Sequence, residues 1–503
     1  MAKRWVLVAA IIGSSMAFID GTVVNVALPA IQRDLKASVF EAQWVVESYA
    51  LFLAALLLVG GSLGDRFGRR KVFAAGVAIF GLASLACAAS RDVQQLIAAR
   101  AVQGVGAALL VPGSLALISA TFPQNERGRA IGTWSGFSGI TAALGPVLGG
   151  YLVDHFSWAW AFLINVPLAL AVVVMTWRHV PESRNPQAPP ALDARGALLV
   201  TLGLGGVVYA FIEAPTRHWS APVVVLALLG GIAALAGFVI TEWRHAAPML
   251  PLALFRNRNF SGANLLTLWL YAALGGGLFF LPLNLIQVQG YSATAAGAAL
   301  LPFILIMFVL SGWAGRLVDQ VGPRRPLIIG PLIAAAGFAG LALPSTGGSY
   351  WSSFLPAIAV LGLGMTVTVA PLTTTVMNAV GADAAGTASG VNNAVSRVAA
   401  LLAVAMFGGV LARAFQGSLD AALQAAQLPA DLVNQVQAQR SRLAAIELPS
   451  GIDSAQAATV QRAVADAFVA GFRWVMAISA ALAIASALAA ALMITDRAQP
   501  SST

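Results

Sequence analysis

One carboxylate in this chain raises a chemical question before any other residue does. Asp20 sits inside the first apolar run, fifteen residues after Trp5 and nine before Pro29. On a helix rising 1.5 Å per residue it lies ~14 Å from the run's far end. A carboxylate at that depth in hydrocarbon costs about 2.5–3.5 kcal/mol even on the lenient insertion scale. Burial there favours the neutral acid, so Asp20 is a candidate proton carrier. The alternative is an aspartate satisfied by Thr22, Asn25 or a nearby backbone group. Arg100 lies about seven residues (~10 Å) from the same end of the fourth run, at comparable depth. A guanidinium does not give up its proton. Arg100 is therefore either a fixed charge tuning a nearby acid or a tether for a backbone carbonyl. Arg397, in the thirteenth run, is a further buried cation to which the sequence assigns no role.

Other chemistries have little to build on. Cys87 is the one cysteine, which excludes an intramolecular disulfide and a cysteine metal site. His155, His179, His218 and His245 all fall at the ends of apolar runs, so a buried zinc centre is not expected. The same placement disfavours a membrane-embedded serine hydrolase on Ser138, which would need a histidine at matching depth. No lysine follows a glycine, so the phosphate loop of a nucleotide-driven pump is missing. No cofactor is expected.

The elements that must position Asp20 and Arg100 are membrane helices. Of 503 residues, 59% are apolar and 10% charged, where a soluble chain carries about 25% charged residues. Apolar runs lie near 6–29, 44–64, 72–90, 94–119, 130–153, 158–178, 194–214, 221–242, 260–286, 292–315, 326–345, 352–376, 389–412 and 468–494. These predict fourteen spanning helices. With the N-terminus inside, inner loops and tails hold 18 Lys and Arg against 8 outside, four of the latter in the long stretch 413–467. That bias places both termini in the cytoplasm. The net charge of +9 is thereby explained as topology rather than nucleic-acid binding. The Ala/Gln-rich stretch 413–467 faces outward, is expected to hold short amphipathic helices, and leaves a periplasmic adaptor as an open question.

The chain also repeats itself. Gly61-x₃-Asp65-x₂-Gly68-x-Arg70 returns as Gly315-x₃-Asp319-x₂-Gly322-x-Arg324, 254 residues later. Gly104-x-Gly106 returns as Gly362-x-Gly364, and Gly128-x-Ala130-x-Gly132 as Gly386-x-Ala388-x-Gly390, both 258 residues later. The repeat predicts two parallel six-helix halves, 1–178 and 260–494. Two extra helices fill the linker 179–259, and 495–503 forms a cytoplasmic tail. Parallel halves around a mid-depth site are transporter architecture.

On these segments the chain resembles the major facilitator superfamily, and specifically its fourteen-span drug:proton antiporter branch. The resemblance is carried by Asp20-Gly-Thr-Val-Val-Asn-Val-Ala-Leu-Pro29, by Gly61-Ser-Leu-Gly-Asp65-Arg-Phe-Gly-Arg-Arg70-Lys71, and by Arg100-x-x-Gln103-Gly104-x-Gly106. Gly145-Pro-x-Leu-Gly-Gly150 and Trp158-x-Trp160-x-Phe162-x-x-Asn165-x-Pro167 complete it. It implies an all-α polytopic major facilitator fold and a bacterial inner-membrane exporter of lipophilic drugs, driven by the proton gradient through alternating access. It implies proton coupling at Asp20 and Arg100. It also implies a conformational latch at Gly61, Asp65, Gly68, Arg69, Arg70, Asp319 and Arg324, and an antiporter helix motif at Gly145, Pro146, Gly149 and Gly150. Proton-coupled uptake or metabolite export by the same fold remains the alternative.

One departure is Ala159, where the family's aromatic motif carries arginine between its tryptophans. A second is the shortage of deep acids: Glu47 and Glu213 are placed toward the outer ends of runs two and seven. Monocationic, neutral or weakly acidic compounds therefore fit better than dications. Candidate cavity side chains are Asn25, Trp44, Asn264, Trp269, Tyr271, Phe279, Asn284 and Asn392. The expected partners are a small-molecule substrate, protons and the lipid bilayer, without nucleic acid.

Overall fold

The computed structural model describes residues 2–184, 193–245, 248–380, 385–449 and 452–496. The spanning helices are α1 (Ala2–Asp34), α2 (Val39–Phe67), α3 (Arg69–Ala88), α4 (Val93–Thr121), α5 (Gln124–His155), α6 (Asn165–His179) and α7 (Ala194–Arg217). They continue as α8 (Pro222–Arg244), α9 (Arg258–Leu283), α10 (Leu301–Val321), α11 (Arg324–Leu341), α12 (Leu355–Asn378), α13 (Ala385–Ala425) and α14 (Ser454–Met493). A four-residue helical turn, Trp160–Leu163, leads into α6, and a short helix, Ala293–Ala298, leads into α10. Thirteen helical stretches among the described residues are long and apolar enough to cross a membrane. The remaining one, α11, has 18 residues and opens on two arginines. The protein is all-α, with two six-helix halves and α7 and α8 between them.

Helix starts are written locally. Ser38 and Glu41 form a reciprocal capping box on α2, with Ser38 N donating to Glu41 Oε2 at 2.8 Å. Asp92, Asp193, Asn257 and Asp453 accept backbone N–H bonds at the starts of α4, α7, α9 and α14.

The duplication seen in sequence reappears in packing. A Cβ at Gly106 of α4 would strike the backbone of Gly76 and Phe80 on α3, and one at Gly364 of α12 that of Gly330 and Ala334 on α11. Gly104 lies under the Tyr49 carbonyl, and Gly362 under that of Phe303. Small residues let these backbones close together at the same two places in each half.

The two halves meet along two seams. On one, α2 lies against α13, where Gln43 Nε2 donates to Val404 O at 2.7 Å. The extra helix α7 covers this seam, with Gly205 against Leu51 and Pro215 against Gly409. On the other, α5 lies against Ala293–Ala298, where Gly150 abuts Ala293 and Gly297 abuts the Pro146 carbonyl. Asp154 accepts from Ala293 N, Thr294 N and Thr294 Oγ1 at 2.6–3.0 Å, capping the short helix from the other half. This closure is on the far side, opposite the chain's N-terminus. Toward the near side the same helices part: Gly132, Gly136 and Gly139 of α5 and Gly312 and Gly315 of α10 have nothing within 4 Å of where a Cβ would stand. The α5 seam is closed far and parted near, while on the α2–α13 seam Leu58 still lies within 4 Å of the Gly390 Cβ position.

The stretch 413–467 differs from expectation. Ala430–Ala438 and a 3-10 turn at Arg440–Ala445 are the separate helices among its described residues; 413–425 and 454–467 extend α13 and α14 beyond the apolar runs. Leu411, Phe415, Leu419 and Leu423 recur every four residues and are all buried. That stripe carries the helix onward after the membrane-like composition ends. The 3-10 turn touches the far ends of α1, α2, α13 and α14.

Candidate functional site

Asp20 lies on α1, Arg100 and Gln103 on α4, Ser84 on α3 and Asn165 at the start of α6, all fully or almost fully buried. The structure joins them into one cluster. Arg100 Nη1 donates to Asp20 Oδ2 at 2.5 Å and to Gln103 Oε1 at 2.7 Å. Gln103 Nε2 donates to Asp20 Oδ1 at 2.8 Å and lies 2.9 Å from Ser84 Oγ; Asn165 Nδ2 reaches Asp20 Oδ1 at 3.3 Å. Arg100 Nε donates to the Val45 carbonyl at 2.9 Å, and its guanidinium carbon stands 4.2 Å from the Tyr49 ring centroid and 5.7 Å from that of Phe162. Arg100 thus both pairs with the acid and tethers a carbonyl.

The premise of an isolated carboxylate does not describe this state. Asp20 is ion-paired, so its charge is compensated where hydrocarbon alone would have penalised it. Its partners are also not the ones expected nearby. Thr22 Oγ1 turns back to the carbonyls of Phe18 and Ile19, and Asn25 Oδ1 is buried without a partner. Gln103 and Asn165 belong to the segments that carried the family resemblance but were not singled out as site residues. The i, i+3 spacing of Arg100 and Gln103 on one helix face was the available signal for the first.

The loop between α2 and α3 is bound within its own half. Arg69 Nη2 pairs with Asp65 Oδ1 at 2.7 Å, and Arg69 N donates to Ser183 O. Gly68 turns with φ +114°, against the Glu182 carboxylate, which accepts from Arg70 N at 3.1 Å. The second half copies this: Gly322 has φ +76° and Asp496 accepts from Arg324 N at 3.0 Å. Glu182 and Asp496 each stand three residues past a half's sixth helix. The side chain of Asp319 lies outside the described residues. Gly61 abuts Pro112.

In α5, Gly145 lies against Thr22 and Gly149 against Val23 of α1, while Pro146 and Gly150 face Ala293–Ala298. The cavity candidates do not form one group. Asn392 donates to Asn264 Oδ1 and Thr267 Oγ1, linking α13 to α9. Trp44 leans on Tyr209 of α7, Phe279 packs on Phe280 in the core, and Asn284 accepts from Gln289 near the far end of α9. Trp269 and Tyr271 are half-buried. Ser138 Oγ donates to the Trp134 carbonyl, away from any nucleophile geometry. Among the described residues no His, Cys, Asp and Glu side chains gather in threes to hold a metal.

Two parallel helical halves, sealed together on one side, with a buried ion pair inside the first of them, fit a membrane transporter of the alternating-access type. The Major Facilitator Superfamily model matches residues 10–404. The tetracenomycin C resistance and export protein of Streptomyces glaucescens is 33% identical over 98% of this chain and 92% of its own. The puromycin resistance protein of Streptomyces alboniger is 39% identical over 81% and 82%. Among solved structures, an inward-facing, unoccupied bacterial homolog of the human lysosomal transporter Spinster superposes with a TM-score of 0.70 at 17% identity, over 98% and 97%. The chain belongs to the major facilitator superfamily.

Proposed function

We propose that this protein exports lipophilic small molecules, antibiotics of the kind its relatives are named for among them, in exchange for protons. The observation that carries the reading is the pairing of Asp20 with Arg100 at 2.5 Å in the interior of the N-terminal half. A proton reaching Asp20 cancels the charge that holds Arg100, freeing α4 to move against α1. Loss of that proton restores the pair. Both termini are assigned to the cytoplasm of a bacterium with an inner membrane, so the parted side is the cytoplasmic one and this state is inward-open. The working division is 1–178, 179–259, 260–494 and 495–503. The proton gradient is the energy source, and the substrate and protons are the transported partners.

The latch residues fit a two-position device. In the inward-open state Asp65 is satisfied by Arg69. When the near side closes, Asp65 exchanges that contact for the start of α13. Gly145, Pro146, Gly149 and Gly150 hold the far side shut in the present state.

The test uses proteoliposomes with an outside-acid gradient and a panel of antibiotics. Accumulation on the proton-rich side is expected for wild type and is lost in Asp20→Asn. Undiminished proton-driven accumulation in that variant refutes the assignment of Asp20, and movement with the proton flux rather than against it turns the reading to uptake.

A further inference from the structure

One turn along α2 from Gln43 stands a second acid with no part in the Asp20 cluster. Glu47 is 1% exposed and its Oε2 has no hydrogen-bond partner. The antiparallel register of α2 and α13 locates it. Gln43 bonds the carbonyl of Val404, and Leu58 lies against Gly390. Interpolation sets Glu47 opposite residue ~401, and Arg397 about one turn, ~6 Å, nearer the open side. Glu47 therefore lies on a seam along which the halves must move. It lies toward the outer end of α2, as the sequence suggested, and α7 closes over the seam there from outside.

The surrounding polar groups leave it unpaired. On its own helix Gln43 spends its amide on Val404, keeps a free Oε1, and Tyr49 lies under Arg100. On α4, Arg100 is committed to Asp20 of α1 and to Val45. On α3, Cys87 Sγ donates to Gln103. On α7, Tyr209 stacks near Trp44 and Glu213 holds Arg217. In the 3-10 turn, Arg442 pairs with Glu447 and Arg440 makes no described bond to Glu47. On α13, Arg397 has an Nε without a partner. An ionised carboxylate in such a place is an uncompensated buried charge, which proteins avoid by neutralising the group.

We propose that Glu47 is a second proton-binding site, with Arg397 as the cation that discharges it. In the present state its carboxyl holds a proton. As α2 moves along α13 the guanidinium reaches it, the O–H bond breaks, the proton leaves to water in the near-side opening, and an ion pair forms. Proton occupancy of Glu47 stands apart from the export reading, whereas its part in coupling rests on that reading. With Asp20 supplying one proton and Glu47 another, exchange for a monocation carries one net charge inward.

Infrared difference spectroscopy of the purified full chain in nanodiscs reads the occupancy directly. A protonated-carboxyl carbonyl band sensitive to D2O is expected at pH 7 in wild type, lost in Glu47→Gln and retained in Asp20→Asn. Its absence from wild type, or its persistence in Glu47→Gln, overturns the proposal. Glutamine matches the neutral acid in shape, and Arg397→Gln gives a second check in which the band must survive. Coupling is read with ethidium in proteoliposomes under a membrane potential and no pH gradient. Wild-type accumulation should change about fifty-fold per 100 mV, and Glu47→Gln should not respond. Equal responses in the two proteins overturn the coupling role. Failure of every protein to move ethidium or any antibiotic of the panel refutes export, and the infrared result still decides Glu47.

Discussion

Removing the charge of Asp20 while keeping its shape tests whether the buried pair is an energetic lock or a mere neighbour relation. In Asp20→Asn, Arg100 loses the 2.5 Å carboxylate but keeps Val45 O, Gln103 Oε1 and the faces of Tyr49 and Phe162. Breaking a buried pair costs about 3–5 kcal/mol, and the remaining hydrogen bonds and cation–π contacts offset about 1–2 kcal/mol of that. A loss of about 2–3 kcal/mol is expected. In Arg100→Gln, Asp20 is left with two neutral amide donors, so the loss should sit nearer the upper end, about 3–5 kcal/mol. The double variant Asp20→Asn/Arg100→Gln buries no charge and should recover more than about 3–5 kcal/mol relative to the sum, because replacing both members of a buried pair is close to neutral. Thermal unfolding of the four proteins in one detergent ranks them: Arg100→Gln lowest, Asp20→Asn next, the double variant above both. Additive losses, with the double variant lowest, would show that the two charges do not depend on each other, and the lock would fail.

Three further outcomes are expected. Gly297→Val places a side chain into the Pro146 carbonyl and should wedge the far-side seam open, read as new labelling of a cysteine introduced at Gln32; unchanged labelling counts against the seal. Asp154→Asn weakens three bonds to the Ala293–Ala298 start and should shift the same equilibrium by about 1–3 kcal/mol, seen as a larger far-side-open population in spin-label distances. Gly68→Ala forces a Cβ into φ +114° and against Glu182; about 1–2 kcal/mol of destabilisation is expected, and Glu182→Ala should relieve the steric part. Equal melting of Gly68→Ala with and without Glu182→Ala would remove the carboxylate from that account.

The sequence made the scaffold legible because membrane helices announce themselves by length and composition, and because a duplicated glycine must pack the same way twice. Asp20 and Arg100 could be set at one depth by counting residues. Their partners could not, since which face of α4 meets α1 depends on packing that no spacing rule reports. The same gap explains Glu47. Counting from the helix end set it toward the outer end of α2, where it lies, but could not report that α7 covers the α2–α13 seam there. The far ends of α13 and α14 were legible in principle, since Leu411, Phe415, Leu419 and Leu423 keep a helical period, but a search for membrane-length runs stops before them.

If Asp20 carries the proton, as proposed above, the shape of α1 offers a route from it to the far-side seal. Thr22 and Val23, two and three residues past Asp20, are the surfaces on which Gly145 and Gly149 of α5 rest. Those glycines leave no side chain to absorb a shift, so a small rotation of α1 is passed to α5 as displacement. α5 in turn bears Pro146, Gly150 and Asp154, which close on Ala293–Ala298. When Asp20 is ion-paired, α1 is held to α4 and α6 through Arg100, Gln103 and Asn165, and the seal is made. Protonation removes the strongest of those ties. The seal is a set of close backbone approaches rather than a soft apolar contact, and packed interfaces of that kind favour discrete arrangements over a continuum. A bistable seam biased by one proton is what alternating access requires.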